Sequence, residues 1–302
     1  MRIPIFTDEA GGGWHGAQLA QAFAVRGVQT VFVSLQDCVI DLSTQNSQIR
    51  IPHFDQVPKG AFVRGIAGGT LQQIITRLNI LHMLEMQGVK VFNSGRAIER
   101  TVDKAMTSFL LSRADIASPT TWVCESRNQA HAIIAAQLPK NKLVLKPLFG
   151  SQGHGIRLLE ASSKLPLPMD DFVDGVFYLQ QFIDSGKNPH DFRVLVVGNK
   201  AVAAMRRNGN SWLNNVAQGA RCEAIDFTKS DGADMLHLAE RAAKAVNIDY
   251  CGVDIICDKS GKLWVLEVNS IPAWSGLQSV TKNNINQILV DYFLNNLRVL
   301  GS

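Results

Sequence analysis

The chain lacks the cysteine spacings that build disulfide frameworks or metal knuckles. Its five cysteines, Cys38, Cys124, Cys222, Cys251 and Cys257, are odd in number and include no CxxC pair. That argues against disulfide scaffolding and for a reducing compartment. HExxH, closely spaced histidine pairs and a GxSxG elbow are missing too, so zinc hydrolysis and serine-triad chemistry have no residues to run on. Lysines and arginines form no dense block with interleaved aromatics. The nearest feature, Arg206-Arg207, is a pair, and no nucleic-acid partner is expected. No stretch has the length a bilayer span needs, and the first residues, MRIPIFTDEA, lack the apolar core of a signal peptide. The expectation is a cytoplasmic protein with no membrane partner. Internal repeats and low-complexity linkers are also missing.

What is present is an ordinary globular composition, 46% hydrophobic and 19% charged. At 302 residues the chain can bury a substantial core and divide into two or three domains. Its net charge of +4 suits an anionic small ligand.

Strand and helix patterns alternate from the start. RIPIF is a short apolar run, WHGAQLAQAFAVRG has helical spacing that stops at Gly27, and VQTVFVSL is a β-branched strand. Such a unit favours a parallel sheet with helical crossovers. GAFVRG, a helix over TLQQIITRLNILHMLEMQG closed by Gly88, and VKVFN extend it. The pattern of SGRAIERTVDKAMTSFLLSRADI predicts one long helix. TTWVCE, a helix around NQAHAIIAAQL, a strand at KLVLK and another at VFYLQQFI come next. RVLVVGNKAVAAMRR reads as a hairpin about a Gly-Asn turn. The helix MLHLAERAAKAVN, a second hairpin over YCGVDIICDKSGKLWVLEVN and an amphipathic helix over INQILVDYFLNNL complete the order. An α/β front followed by α+β material predicts three interlocked domains over residues 1–97, 98–180 and 181–302.

Gly11, Gly13 and Gly16 in GGGWHG match G-x-G-x-x-G. The dinucleotide fingerprint needs its glycines directly after the first strand and an acid at the end of the second. Here TDEA intervenes, and Asp37 lies beyond Ser34-Leu35. A glycine-rich turn that touches some other substrate is the better reading.

Two segments carry chemistry on their own terms. In KLVLKPLFGSQGHGI, Pro147 biases Lys146 toward extended backbone, so the lysine closes a strand. Gly150, Gly153 and Gly155 then allow a tight loop whose amides can approach an anion. The alternative is a plain strand, a charged edge residue and a turn. In the second hairpin, alternation puts Glu267 and Asn269 on one side and Leu266 and Val268 on the other, with Asp254 across from the first pair if the DKSGK turn joins the two strands. Oxygen ligands without histidine or cysteine are what magnesium prefers. The competing reading is a solvated strand face.

Together with RTVDKAMTSFLL, LQQFI, DFRVLVVGNKAVAAMRR, NNVAQGA, GVDII and LEVNSIPAWSGLQ, in that order, these segments resemble the ATP-grasp superfamily and, within it, the RimK-like α-L-glutamate ligases. The C-terminal Pro-x-Trp-x-Gly-Leu-Gln run is similar to that of ligases that glutamylate tetrahydromethanopterin-type cofactors. The resemblance implies an ATP-grasp fold with an N-terminal Rossmann-like domain before it. It also implies ATP-dependent ligation of L-glutamate to a carboxylate acceptor. Lys104, Lys146 and the loop of Gly150, Ser151, Gly153 and Gly155 would hold the phosphates. Gln181, Phe182 and Ile183 would grip adenine, and Asp191 would meet the ribose. Arg193, Arg207 and Asn215 would serve the phosphoryl transfer. Asp254, Glu267 and Asn269 would hold two magnesium ions, with manganese as a substitute. Arg64, Ser270 and Trp274 are candidates for the acceptor site. Several of these have plainer uses: Lys104 as a helix-surface lysine, Phe182 and Ile183 as core, Trp274 as a core plug. Arg206 is expected to be solvated. A ligase acting on a peptide or protein C-terminus and an inactive ATP-binding regulatory module are the alternative functions. A homo-oligomer is left open.

Overall fold

The computed structural model describes residues 1–43, 48–150, 153–163, 175–186, 189–209, 212, 221–225 and 230–299. Strand β1 (Arg2–Phe6) leads into helix α1 (Gly13–Val25), and β2 (Gln29–Val33) returns parallel to β1. A small hairpin of β3 (Val39–Asp41) and β4 (Gln48–Arg50) follows, which the apolar pattern does not announce. Strand β5 (Gly60–Val63) then enters on the far side of β1, and helix α2 (Leu71–Met86), started by a Thr70–Gln73 capping box, leads to β6 (Lys90–Phe92). The order β2-β1-β5-β6 is parallel throughout.

The single long helix expected next is two. Helix α3 (Gly95–Val102) stops at Asp103, whose carboxylate accepts from the amides of Ala105 and Met106 at 2.8 and 3.1 Å and caps α4 (Lys104–Arg113). An aspartate that competes for backbone amides restarts a helix without disturbing its apolar period. Lys104 therefore opens a helix instead of sitting along one.

The second sheet is antiparallel. It is built from β7 (Thr121–Cys124), then, after helix α5 (Arg127–Gln137), β8 (Leu143–Lys146), β9 (Arg157–Leu159) and β10 (Phe177–Gln181), in the order β7-β10-β8-β9. Ala130 and Ile134 of α5 pack on Leu143, Leu145, Phe177 and Leu179. The third sheet comprises β11 (His190–Val197), β12 (Lys200–Asn208), β13 (Arg221–Ala224) and, after helix α6 (Ser230–Val246), β14 (Tyr250–Cys257) and β15 (Leu263–Asn269). Its order is β13-β12-β11-β14-β15. Helices α7 (Ser275–Val280) and α8 (Ile285–Val299) close the chain.

Both faces of the third sheet are buried, which is why β11 reads as a continuous apolar run. Val194 and Val196 pack with α6 and with Ala97 and Leu111 of α3 and α4. Leu195 and Val197 point the other way, into a core shared with α1, α8 and the first sheet. At its other end that second face carries Asp191 and Arg193, so one strand supplies both core and chemistry. Asn93, just after β6, locks the two sheets together: its amide donates to the carbonyls of Tyr250 and Ser270 at 2.8 and 2.6 Å and accepts from the Tyr250 amide at 2.9 Å. No helix among the described residues is long and apolar enough to cross a membrane.

Candidate active site

A cleft of about 670 Å³ opens where the three sheets meet. It gathers Lys104, Lys146, Gly150, Gly153, Gln181, Phe182, Ile183, Asp191, Arg193, Arg207, Asp254, Glu267, Asn269 and Arg64, residues spread over most of the sequence. Gly155, Ser270 and Trp274 do not line it. Ser151 and Asn215 lie outside the described residues.

The lysines share one wall. Strand β8 ends at Lys146, whose ammonium donates to Gln180 Oε1 at 2.6 Å and lies 5.9 Å over the Tyr178 ring. Gln180 is held in turn by Tyr178 Oη and Thr121 Oγ1 at 3.0 and 3.1 Å, so the acceptor beneath the lysine is fixed. Lys104, at the first turn of α4, donates to the carbonyls of Leu148 and Gly150 at 3.2 and 3.1 Å and ties the glycine loop to the helix. Neither lysine makes an ion pair among the described residues. Burial pushes both below the ordinary lysine range, and the Glu267 carboxylate across the cleft opposes the shift. At the cleft's edge, Gln181 ends β10 with Phe182 and Ile183 following it, and the Gln181 side chain donates to Asn141 Oδ1 at 3.4 Å.

The opposite wall is the third sheet, and its charges are paired across strands. Arg207 grips Asp191 with two bonds at 2.6 and 2.9 Å, and Arg193 grips Asp254 with two at 2.7 Å. Arg207 also reaches Asp254 at 3.1 Å, joining the pairs into one chain of charge. Burial works against ionising Asp254, but Arg193 and Arg207 outweigh it and hold the carboxyl below its usual range. Burial and Asp254 push Asp191 up against the pull of Arg207. The expected contrast between neighbours holds in part: Arg207 faces the cleft and is 3% exposed. Arg206 faces away and is half-buried, with its Nε buried without a hydrogen-bond partner and the rest of the side chain only partly solvated.

Asp254 and Glu267 are opposite each other on β14 and β15 and their carboxyls are in hydrogen-bonding contact. Asn269 donates its amide N–H to Glu267 Oε1 at 3.0 Å, which leaves its own Oδ1 available to coordinate a cation. Two carboxyls in contact call for a shared proton or a cation between them. The all-oxygen set of two acids and an amide fits a hard divalent cation such as magnesium. Among the described residues no trio of histidine, cysteine and acid side chains gathers to compete with it. The strict alternation expected in β15 fails at one place: a bulge between Asp254 and Ile255 turns Leu266 toward the cleft beside Glu267.

Two of the acceptor candidates stand behind the cleft. Trp274 is fully buried, with its indole N–H donating to Asn286 Oδ1 at 2.8 Å, and so plugs the core and offers no face to a flat ring. Ser270 is 5% exposed, and its carbonyl is taken by Asn93. Arg64 lines the cleft, with its guanidinium 5.2 Å over the Trp274 ring.

Residues 101–293 match the RimK-like ATP-grasp domain. The chain belongs to the RimK-like ATP-grasp family. The relatives it resembles carry ligase names. A tetrahydromethanopterin:α-L-glutamate ligase of Methanococcus maripaludis is 36% identical over 242 residues, 78% of this chain and 79% of that protein. Its counterpart in Methanocaldococcus jannaschii is 38% identical over 211 residues, covering 67% and 69%. A probable α-L-glutamate ligase of Vibrio vulnificus is 29% identical over 292 residues, covering 93% and 91%. Among solved structures, the ATP-grasp ligase PsnB with a phosphomimetic precursor variant, magnesium and ADP superposes with a TM-score of 0.71 at 20% identity, over 100% of this chain and 98% of that one. The fold is thus the ATP-grasp fold, and this RimK-like protein is an enzyme of the ligase class.

Three titratable residues lining the RimK-like cleft were not singled out by sequence reasoning: Glu9, His15 and His154. His154 sits between two glycines of the expected loop, which was the available signal. Glu9 and His15 flank the glycine run, whose resemblance to another motif drew attention away from its neighbours.

Proposed function

We propose that this protein is an ATP-dependent carboxylate–amine ligase that adds L-glutamate to a carboxylate acceptor, a tetrahydromethanopterin-type or other one-carbon-carrier cofactor. The observation that carries the proposal is the pair of lysines without acidic partners, Lys104 and Lys146, facing a wall of already paired acids and arginines. Unpaired, partly desolvated cations at a glycine loop are suited to phosphate oxygens. Gln181, Phe182 and Ile183 take the adenine at the far edge, and Asp191, anchored by Arg207, stands toward the ribose. Asp254, Glu267 and Asn269 would hold magnesium, which when bound supplies a Lewis acid to the phosphate oxygens.

The acceptor carboxylate attacks the γ-phosphorus, ADP leaves, and an acyl phosphate results. The α-amine of glutamate adds to that carbonyl; phosphate and a proton depart, leaving an amide. Arg193 and Arg207 stabilise the charge gathering on the transferred group, from positions already set by their carboxylate partners. Gly150 and Gly153, with Ser151 and Gly155 in the same loop, close over the phosphates and keep water from the acyl phosphate. Asn215 assists there. The division at residues 97 and 180 goes with this reading, each sheet lying within one segment except for Gln181. All five cysteines are free thiols, which suits a reducing cytoplasm.

Support comes from the Pro272-to-Gln278 run and from the two relatives named for tetrahydromethanopterin. The test is incubation of the enzyme with ATP, magnesium, L-glutamate and extracted cofactors, followed by mass spectrometry. A glutamyl mass increment on a pterin-type acceptor is expected. An increment found only on peptides or proteins would move the acceptor to that class, and none on any carboxylate would reject the ligase.

A further inference from the structure

The glycine run that imitates a dinucleotide fingerprint has another use in the fold. Gly11, Gly12 and Gly13 adopt φ of 63°, 80° and 58°. A Cβ at Gly12 would collide with the Phe32 ring, and one at Gly13 with the Glu9 carboxylate. The tight turn brings Glu9, just past the end of β1, and His15, in the first turn of α1, to the part of the cleft that Arg64 lines just past the end of β5. Strand β1 lies between β2 and β5, so successive connections leave it in opposite directions. At such a reversal an open parallel sheet forms a crevice at the carboxyl ends of its strands.

Arg64 is 7% exposed, its Nε is buried without a partner, and it makes no ion pair among the described residues. Arg193 and Arg207, by contrast, each hold an aspartate with two bonds. The Trp274 ring orients the Arg64 guanidinium but supplies no counter-charge. A desolvated guanidinium of this kind is unfavourable until an anion arrives. Beside it, His15 Nε2 accepts the Trp274 amide at 3.1 Å, which places the ring proton on Nδ1 as a donor. Burial first and Arg64 second lower its pKa to about 4, so the ring stays neutral near pH 7. Glu9 is an exposed carboxylate in the same crevice.

The crevice lies on the far side of the metal-type residues from the adenine edge. Asp184, next to that edge, accepts from the Lys259 amide at 3.2 Å at the turn end of the β14–β15 hairpin. Trp274 meets His15 beyond the opposite end of β15. The seven residues of β15, spanning roughly 20 Å, carry Glu267 and Asn269 in between. The bonds of Asn93 to Tyr250 and Ser270 hold the crevice in register with that strand.

We propose that this switch-point crevice binds the amino-acid substrate as a zwitterion, its carboxylate on Arg64 and His15 and its ammonium on Glu9. One guanidinium, one neutral donor and one carboxylate match an α-amino acid. The terminal carboxylates of an acceptor would match Arg64 but be repelled by Glu9. The proposal rests on the ligase reading and moves Arg64 from the acceptor to the amino acid.

The test is calorimetric titration of the full chain, with magnesium and a non-hydrolysable ATP analogue present. L-glutamate is compared with glutarate, which lacks the ammonium, and 4-aminobutyrate, which lacks the α-carboxylate. Wild type is expected to bind L-glutamate more tightly than either comparator. Arg64→Lys and Arg64→Ala should weaken L-glutamate by about 10- to 100-fold. Glu9→Gln should weaken L-glutamate but not glutarate, and all three variants should bind the nucleotide as before. Should Arg64→Ala fail to fold, Arg64→Lys and the exposed Glu9→Gln decide. Unchanged L-glutamate affinity in those two variants, or a wild type that binds no α-amino acid, overturns the proposal. Steady-state assays separate the two readings. If glutamate is ligated but its KM is unmoved in the variants, the crevice assignment falls and the ligase stands. If another amino acid binds with the same dependence on Arg64 and Glu9 while glutamate is not ligated, the crevice stands and the glutamate reading falls.

Discussion

On the third sheet the charges of the cleft are already paired: Asp191 with Arg207, and Asp254 with both Arg193 and Arg207. Across the cleft, Lys104 and Lys146 reach only neutral oxygens, and Arg64 reaches no acid among the described residues. The same residue types thus do different physical work on the two walls. Paired charges fix positions and make the sheet sensitive to losing either member. Unpaired cations contribute little to the fold and hold capacity for anionic ligands.

The largest effect that sharpens this contrast is on stability. Arg207→Ala leaves Asp191 and Asp254 short of a buried partner and is expected to cost about 3–5 kcal/mol in denaturant unfolding. Lys146→Ala removes a hydrogen bond to Gln180 but no ion pair, and should cost about 1 kcal/mol. Equal losses would erase the distinction between the walls. Ligand binding reverses the order of sensitivity. Lys146→Ala should weaken ATP by about 1.5–3 kcal/mol in calorimetry, the worth of a charge-assisted contact. Glu267→Gln removes one of the two carboxylates of the metal-type set, and magnesium titration should report an affinity at least about tenfold weaker, roughly 1.4 kcal/mol. Wild-type magnesium dependence in that variant would take Glu267 out of the set.

The smallest effect concerns His15. Its pKa is lowered to about 4 in the fold, against about 6.5 in an unfolded chain. Below pH 6.5 the unfolded state takes up the proton first, so stability should fall as pH drops from about 6.5 to about 4 and stay flat above that window. For a half-buried ring the change amounts to about 1 kcal/mol after solvent screening. Thermal unfolding of wild type and His15→Gln across that range checks it, because the variant should lose this component of the slope.

Features that depend on neighbouring residues were legible in the sequence. Pro147 ends β8 at Lys146, alternation places Asp254 across from Glu267, and the ordered motifs identify the family. Features that depend on a local exception were not. Asp103 breaks a helix whose apolar period continues through it, and one bulge brings Leu266 to the face of Glu267. Features assembled by strand order were the least legible. Glu9, His15 and Arg64 converge only because β5 pairs with β1 on the side away from β2, and Trp274 lies far along the chain from all three. Its buried ring also decides between two uses that its residue type alone leaves open.

The central claim is that the cleft activates a carboxylate by phosphorylation before the amine arrives. Hydroxylamine trapping tests it most directly, with a tetrahydromethanopterin-type acceptor, ATP and magnesium in the absence of glutamate. The account predicts a hydroxamate on the acceptor's terminal carboxylate, formed in step with ADP and strongly reduced in Lys146→Ala. ADP release with no hydroxamate on this or any other carboxylate acceptor, and no glutamate coupling, would contradict it.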